Sequence, residues 1–145
     1  MNKVPTAEAL LHRNVGIGDS TCPMCSTEVE TADHMFIVCF IASMVWNGVS
    51  NWCKIPYIFA FSIQDLLSVY KGLSVSERKK DAVQGIIMIA CWSLWRARNN
   101  VKFSNDPVRI EGIISEIKAL SFLWFSNRSK HKGVAWKDWC SFVNM

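Results

Sequence analysis

Apolar residues recur at three- and four-residue steps along most of this chain, and two-residue alternation never persists beyond four residues. That pattern predicts helices. Residues 5–13 read as a short first helix, with Pro5 in a first-turn position and Ala7, Leu10 and Leu11 sharing a face. Gly16, Gly18 and Asp19 break it, and residues 20–38 are polar and punctuated. From about Asp33 to Trp52 a helical period sets in, carried by Phe36, Cys39, Phe40, Val45, Val49 and Trp52. A loop around Pro56 follows. Ser62, with Asp65 three residues on, resembles a capping box for a helix over Ile63–Tyr70, closed by Gly72. Ser76 caps a long helix to about Phe103, and Asp106 as N-cap with Pro107 as first residue opens another through Trp124. Asn127 to Gly133 is a basic, polar linker before a last turn at Trp136–Trp139. The expected fold is mainly α: a small domain of four to five helices. Residues 1–53 and the basic, helical part 54–145 are expected to pack as one domain.

Residues 20–38 hold too few apolar side chains to fold by burial alone, so another source of stability is needed. Three of the six cysteines lie in or just after this stretch. No secretory signal is visible in residues 1–20, which disfavours disulfides and gives metal binding weight. Cys22, Cys25, His34 and Cys39 have the spacing C-x2-C-x8-H-x4-C. Two cysteines two apart can bend as a tight knuckle and aim both sulfurs at one ion, while His34 and Cys39 lie where the helical period begins. Tetrahedral zinc takes such mixed sulfur and nitrogen ligands, and four protein ligands leave no open position for hydrolysis. The expectation is one structural Zn2+ in a CCHC knuckle. The competing reading, a redox pair at Cys22 and Cys25, requires a preceding strand and a following helix, and neither pattern is present. Cys53, Cys91 and Cys140 read as buried thiols.

The formal charge of +4 conceals an asymmetry. Residues 1–53 hold two basic and five acidic side chains, net −3, and residues 54–145 hold fourteen and seven, net +7. Glu28, Glu30 and Asp33 make the metal loop acidic and a poor partner for phosphate. The basic candidates for nucleic-acid contact are Arg96, Arg98, Lys102, Arg109, Arg128, Lys130 and Lys132, with Trp92, Trp95, Trp124, Trp136 and Trp139 nearby as stacking surfaces or, alternatively, as core. The longest apolar run, Gly85–Trp95, is 11 residues, short of the roughly 20 a bilayer-spanning helix needs. No membrane partner is expected, and the location expected is intracellular, nuclear or cytoplasmic.

Lys3-Val4-Pro5-Thr6-Ala7-Glu8-Ala9-Leu10-Leu11, the Cys22–Cys25 knuckle, Asp33-His34-Met35-Phe36-Ile37-Val38-Cys39-Phe40 and Val45-Trp46 together resemble the reverse transcriptase zinc-binding domain of plant LINE-type non-LTR retrotransposons. The tail, Cys91-Trp92-Ser93-Leu94-Trp95-Arg96-Ala97-Arg98-Asn99 and Trp136-Lys137-Asp138-Trp139-Cys140, is similar with weaker specificity. The resemblance places the metal ligands on Cys22, Cys25, His34 and Cys39. It also places an apolar, Trp-containing helix ahead of Val4-Pro5-Thr6, and so implies an N-terminally truncated copy.

No two aspartates are adjacent anywhere, so the paired carboxylates that hold magnesium in a polymerase are missing. Asp65, Glu77, Asp81, Glu111 and Glu116 read as solvated faces of amphipathic helices. No enzymatic activity is expected. The function implied is a zinc-stabilised accessory module of a reverse transcriptase that assists in holding RNA or DNA. The alternatives are a docking module for the polymerase domains of a parent polyprotein, or a retroelement remnant without function.

Overall fold

The computed structural model of this chain describes residues 21–128, 130 and 133–143. The expected helix over 5–13 lies outside them, as do His12, His131 and Lys132. The described chain is mainly helical. It opens on an isolated antiparallel bridge between Thr21 and Val29 that closes the metal loop. A π-helical turn, His34–Val38, leads into α1 (Phe40–Cys53); α2 (Ile63–Ser68) continues as a 3-10 turn over Val69–Gly72; α3 (Glu77–Ser104), α4 (Ile110–Ser126) and α5 (Trp136–Ser141) complete the order.

Most boundaries follow local chemistry. Ser62 Oγ accepts from the Asp65 N–H at 3.2 Å, and Asp65 Oδ2 accepts in return from the Phe61 N–H at 3.3 Å. Ser76 Oγ accepts from the Lys79 N–H at 3.2 Å and starts α3. Two expectations need correction. The helical period from Asp33 to Trp52 is not one helix: Cys39 has extended backbone (φ −53°, ψ 136°) and separates the π turn from α1. The helix expected to open at Asp106 begins three residues after Pro107. Its N-cap is Arg109, in extended conformation, whose carbonyl accepts the Ile113 N–H at 3.0 Å; Val108 packs against the core ahead of it.

α3 and α4 form an antiparallel hairpin. Asp81, Gly85 and Arg96 along α3 meet Arg128, Trp124 and Glu116 in descending order. Gly85 is required there, because a Cβ would collide with the Trp124 ring. One hydrophobic cluster runs from Cys22, Met35 and Phe36 through Trp46 and Ile86 to Phe125, Trp139 and Phe142. α5 is tied in through its indole: Trp52 Nε1 donates to the Trp139 carbonyl at 2.9 Å, and Trp139 Nε1 donates to the Lys118 carbonyl at 3.0 Å. Among the described residues no helix is long and apolar enough to cross a membrane.

Candidate metal centre

The knuckle is built by backbone hydrogen bonds across a tight turn. The Ser26 N–H donates to the Cys22 carbonyl at 2.9 Å, and the Cys22 N–H donates to the Glu28 carbonyl at 2.7 Å. Ser26 turns the chain in the left-handed region, φ 61°. The Cys22 and Cys25 side chains therefore project to the same side.

The second pair of donors depends on the π turn. Five residues of ordinary α-helix advance by about 500°, which would leave His34 and Cys39 about 140° apart around the axis. Here the Cys39 N–H instead donates to the His34 carbonyl at 2.7 Å, five residues back. That wider turn stacks the two residues one turn apart, as single π turns at functional sites do. Thr31 fixes the start: its Oγ1 accepts the His34 N–H at 2.9 Å and its carbonyl accepts the Met35 N–H at 2.9 Å.

The result brings together all four residues the spacing pointed to. Their ligand atoms lie within 4.8 Å of one another. Cys22 Sγ and Cys39 Sγ are 4.0 Å apart, and Cys25 Sγ lies 3.2 Å from His34 Nε2. Zinc–ligand bonds of about 2.0–2.3 Å in a tetrahedron give edges of about 3.3–3.8 Å, so a small inward adjustment suffices. Cys22, Cys39 and His34 are buried and Cys25 is partly exposed. The other face of the imidazole, Nδ1, meets Glu28 Oε2 at 3.5 Å, longer than a good hydrogen bond. A carboxylate behind a ligating histidine orients the ring and raises its basicity.

Two of the three sulfurs, Cys22 and Cys25, are held toward the thiolate. The hydrogen bond from Cys39 holds the Cys22 thiol down at about 5, against the opposing effect of burial. The same contact, with burial, pushes Cys39 up. At Cys25 burial opposes ionisation, but hydrogen bonds from Thr27 and His34 outweigh it and lower the thiol. For His34 burial works against the charge, yet the contacts with Cys25 and Cys22 raise the imidazole. Soft, thiolate-rich donors of this kind suit zinc and not magnesium or calcium.

Residues 1–46 match the family model described as zinc-binding in reverse transcriptase. The matched span contains all four clustered donors and ends at Trp46. No curated protein and no solved structure matches the chain.

The basic candidates fare differently. Arg98 does not face solvent: it is 3% exposed and closes a bidentate pair with the fully buried Glu30, Nε to Oε1 at 2.7 Å and Nη2 to Oε2 at 2.8 Å. Its assignment to phosphate contact is corrected on that ground, and Glu30 is no solvated loop acid. Nothing in the periodicity marks this pair, because its members are 68 positions apart. Arg96 pairs with Glu116 at 2.8 Å, and Arg128 and Lys130 with Asp81 at 3.5 and 3.6 Å. Lys102 lies in the last turn of α3 and Arg109 at the start of α4. Of the tryptophans, Trp139 is core, Trp92 and Trp136 are exposed, and Trp95 and Trp124 are half-buried. Cys53 and Cys91 are buried, whereas Cys140 is only partly so.

Proposed function

We propose that this chain is a zinc-stabilised accessory module of a reverse transcriptase of the plant LINE type, holding one structural Zn2+ and contacting RNA or DNA through its helical body. The observation that carries the reading is the convergence of three sulfurs and one imidazole, the four residues inside the span similar to the reverse transcriptase family. Cys22, Cys25, His34 Nε2 and Cys39 would hold the ion. It would supply cross-linking of the loop to α1 and no reaction, since all four positions are filled by protein. Among the described residues no second group of three or more histidines, cysteines and acids comes together as a metal site.

Metal analysis of the purified chain tests this directly. One zinc per chain is expected, and cobalt substitution should give the thiolate charge-transfer bands of a tetrahedral site with three sulfurs and one nitrogen. Cys25→Ser should lose the metal together with part of the helical signal. A chain that is fully helical and free of metal after purification without chelator would overturn the proposal.

A second reading, docking onto polymerase domains, is favoured by one observation. A cleft of about 380 Å³ beside the π turn is lined by Ile37, Trp46, Tyr57, Phe59, Phe61 and their neighbours, and Phe61 is 81% exposed. Salt separates the readings, because phosphate binding weakens steeply with ionic strength and apolar docking does not.

A further inference from the structure

We infer that the phosphate-binding surface is the face formed by Lys54, Arg78, Lys79 and Lys118, and not the basic stretch most visible in the sequence. The inference rests on the nucleic-acid part of the proposed function and specifies where contact is made.

Four rings from three helices and the residue after α5 form one hub. Phe125 stacks on Trp139 with centroids 4.9 Å apart, Trp139 meets Trp52 at 5.7 Å, and Trp52 meets Phe142 at 5.2 Å. Cations sit over three of these rings: Arg78 Cζ is 5.9 Å from Phe125, Lys79 Nζ 5.6 Å from Phe142, and Lys118 Nζ 5.5 Å from Trp52. The backbone of Lys54, the exposed residue that caps α1, lies at the same place, since its carbonyl accepts from Lys79 Nζ at 3.5 Å. Lys79 and Lys118 also act together on the Cys53 thiol beneath, partly offsetting the burial that raises it.

None of the four makes an ion pair among the described residues, whereas the carboxylates of Asp81, Glu77 and Glu116 are taken by Arg128, Lys130, Lys80 and Arg96. Positive charges on one face that no ion pair engages are open to a polyanion. Arg78, Lys79 and Lys118 stand over three different rings of the hub instead of converging on one point, which suits a chain of phosphates and not a small anion. The rings beneath are buried, so they offer no face to a base. The contact is therefore indifferent to sequence.

The test uses the zinc-loaded full chain, a fluorescent 20-nucleotide oligo-U and its oligo-A counterpart, and anisotropy at several potassium chloride concentrations. In the variant K54Q/K79Q/K118Q the magnitude of the salt slope should fall by about 2. Affinity at 0.1 M salt should fall about 100-fold, since each single-strand phosphate contact contributes about 0.7 to the slope. K54R/K79R/K118R should retain both, and R96Q/R128Q/K130Q should change affinity less than threefold. Circular dichroism melts check that each variant is folded; if the triple Gln variant is not, the single variants K54Q and K118Q should each lose about fivefold. Oligonucleotide binding that survives the triple Gln variant but is lost in R96Q/R128Q/K130Q overturns the inference and leaves the proposed function standing. A wild-type chain that binds neither oligonucleotide, or binds only phosphatidylserine vesicles, overturns both.

Discussion

Neutralising Arg98 should be among the most damaging single changes available outside the metal ligands. Its guanidinium is 3% exposed and its partner carboxylate fully buried. The two make parallel hydrogen bonds of 2.7 and 2.8 Å, Nη1 donates to Asn99 Oδ1 at 2.9 Å, and the group lies 5.0 Å from the Trp95 ring centroid. Arg98→Met removes the guanidinium from beside the fully buried Glu30 carboxyl. Removing one member of a buried pair costs about 3–5 kcal/mol, against a total stability of about 5–15 kcal/mol for a domain. Tm should fall on the order of 10 °C at this chain length. Glu30→Met should cost a comparable amount. The double variant E30M/R98M should recover most of the loss, because a buried pair replaced by apolar groups of similar volume is often neutral. Urea unfolding followed by tryptophan fluorescence gives all four corners of the cycle, with an expected coupling of at least about 2 kcal/mol. The partly exposed pair Arg96–Glu116 is the control, with an expected effect of about 1 kcal/mol. If Arg98→Met costs no more than Arg96→Met, or if the double variant loses the sum of its singles, the reasoning is refuted. Zinc affinity should weaken in both single variants, since Glu30 holds the loop between Cys25 and His34.

Other consequences are open to measurement. Gly85→Ala, which in an exposed helix would stabilise by about 1 kcal/mol, should here destabilise by about 1–3 kcal/mol because the new methyl meets Trp124; a rise in Tm would refute the packing. Trp139→Ala should cost about 3–5 kcal/mol, read by urea unfolding, because this fully buried ring joins α5 to Trp52 and Phe125. Burial pushes the Cys91 thiol up to about 12 from 9.0. A folded pKa above the unfolded one means that stability is complete below about pH 9 and falls as pH rises, by about 1.4 kcal/mol per pH unit for that thiol. Urea midpoints between pH 8 and 11 should therefore decline less steeply in Cys91→Ala than in wild type, and equal slopes would contradict the burial argument. In the native chain at pH 8, iodoacetamide should label Cys140 and leave Cys53 and Cys91 unmodified.

The cluster of Cys22, Cys25, His34 and Cys39 was legible because coordination fixes residue type and spacing together, and C-x2-C-x8-H-x4-C carries both. The long helices were legible because Ser62 and Ser76 cap where capping chemistry places them and the apolar period of α3 and α4 is sustained. What escaped was non-local. Glu30 read as one more loop acid, and only the fold brings Arg98 to it. The break at Cys39 escaped because apolar spacing continues through it, so the period alone describes one helix where the ligand geometry demands two. Asp106-Pro107 is a plausible helix start in isolation, but Val108 packs on the core and postpones α4. Basic residues could be counted in the sequence, but which of them were already engaged by carboxylates could not.

The extra residue in the π turn reaches beyond the ligands. A helix that ends at Val38 and restarts after Cys39 leaves the Phe36 and Ile37 carbonyls outside any regular ladder, and α1 supplies their donors: Trp46 Nε1 at 2.7 Å and Ser43 Oγ at 3.4 Å. Trp46 is almost fully enclosed, so an indole that loses this acceptor has no water to turn to. The cluster of four donors and the anchoring of the first long helix are thus built on one turn. Stripping the metal should be visible as a change in the emission of Trp46, whose indole is bonded to the turn itself.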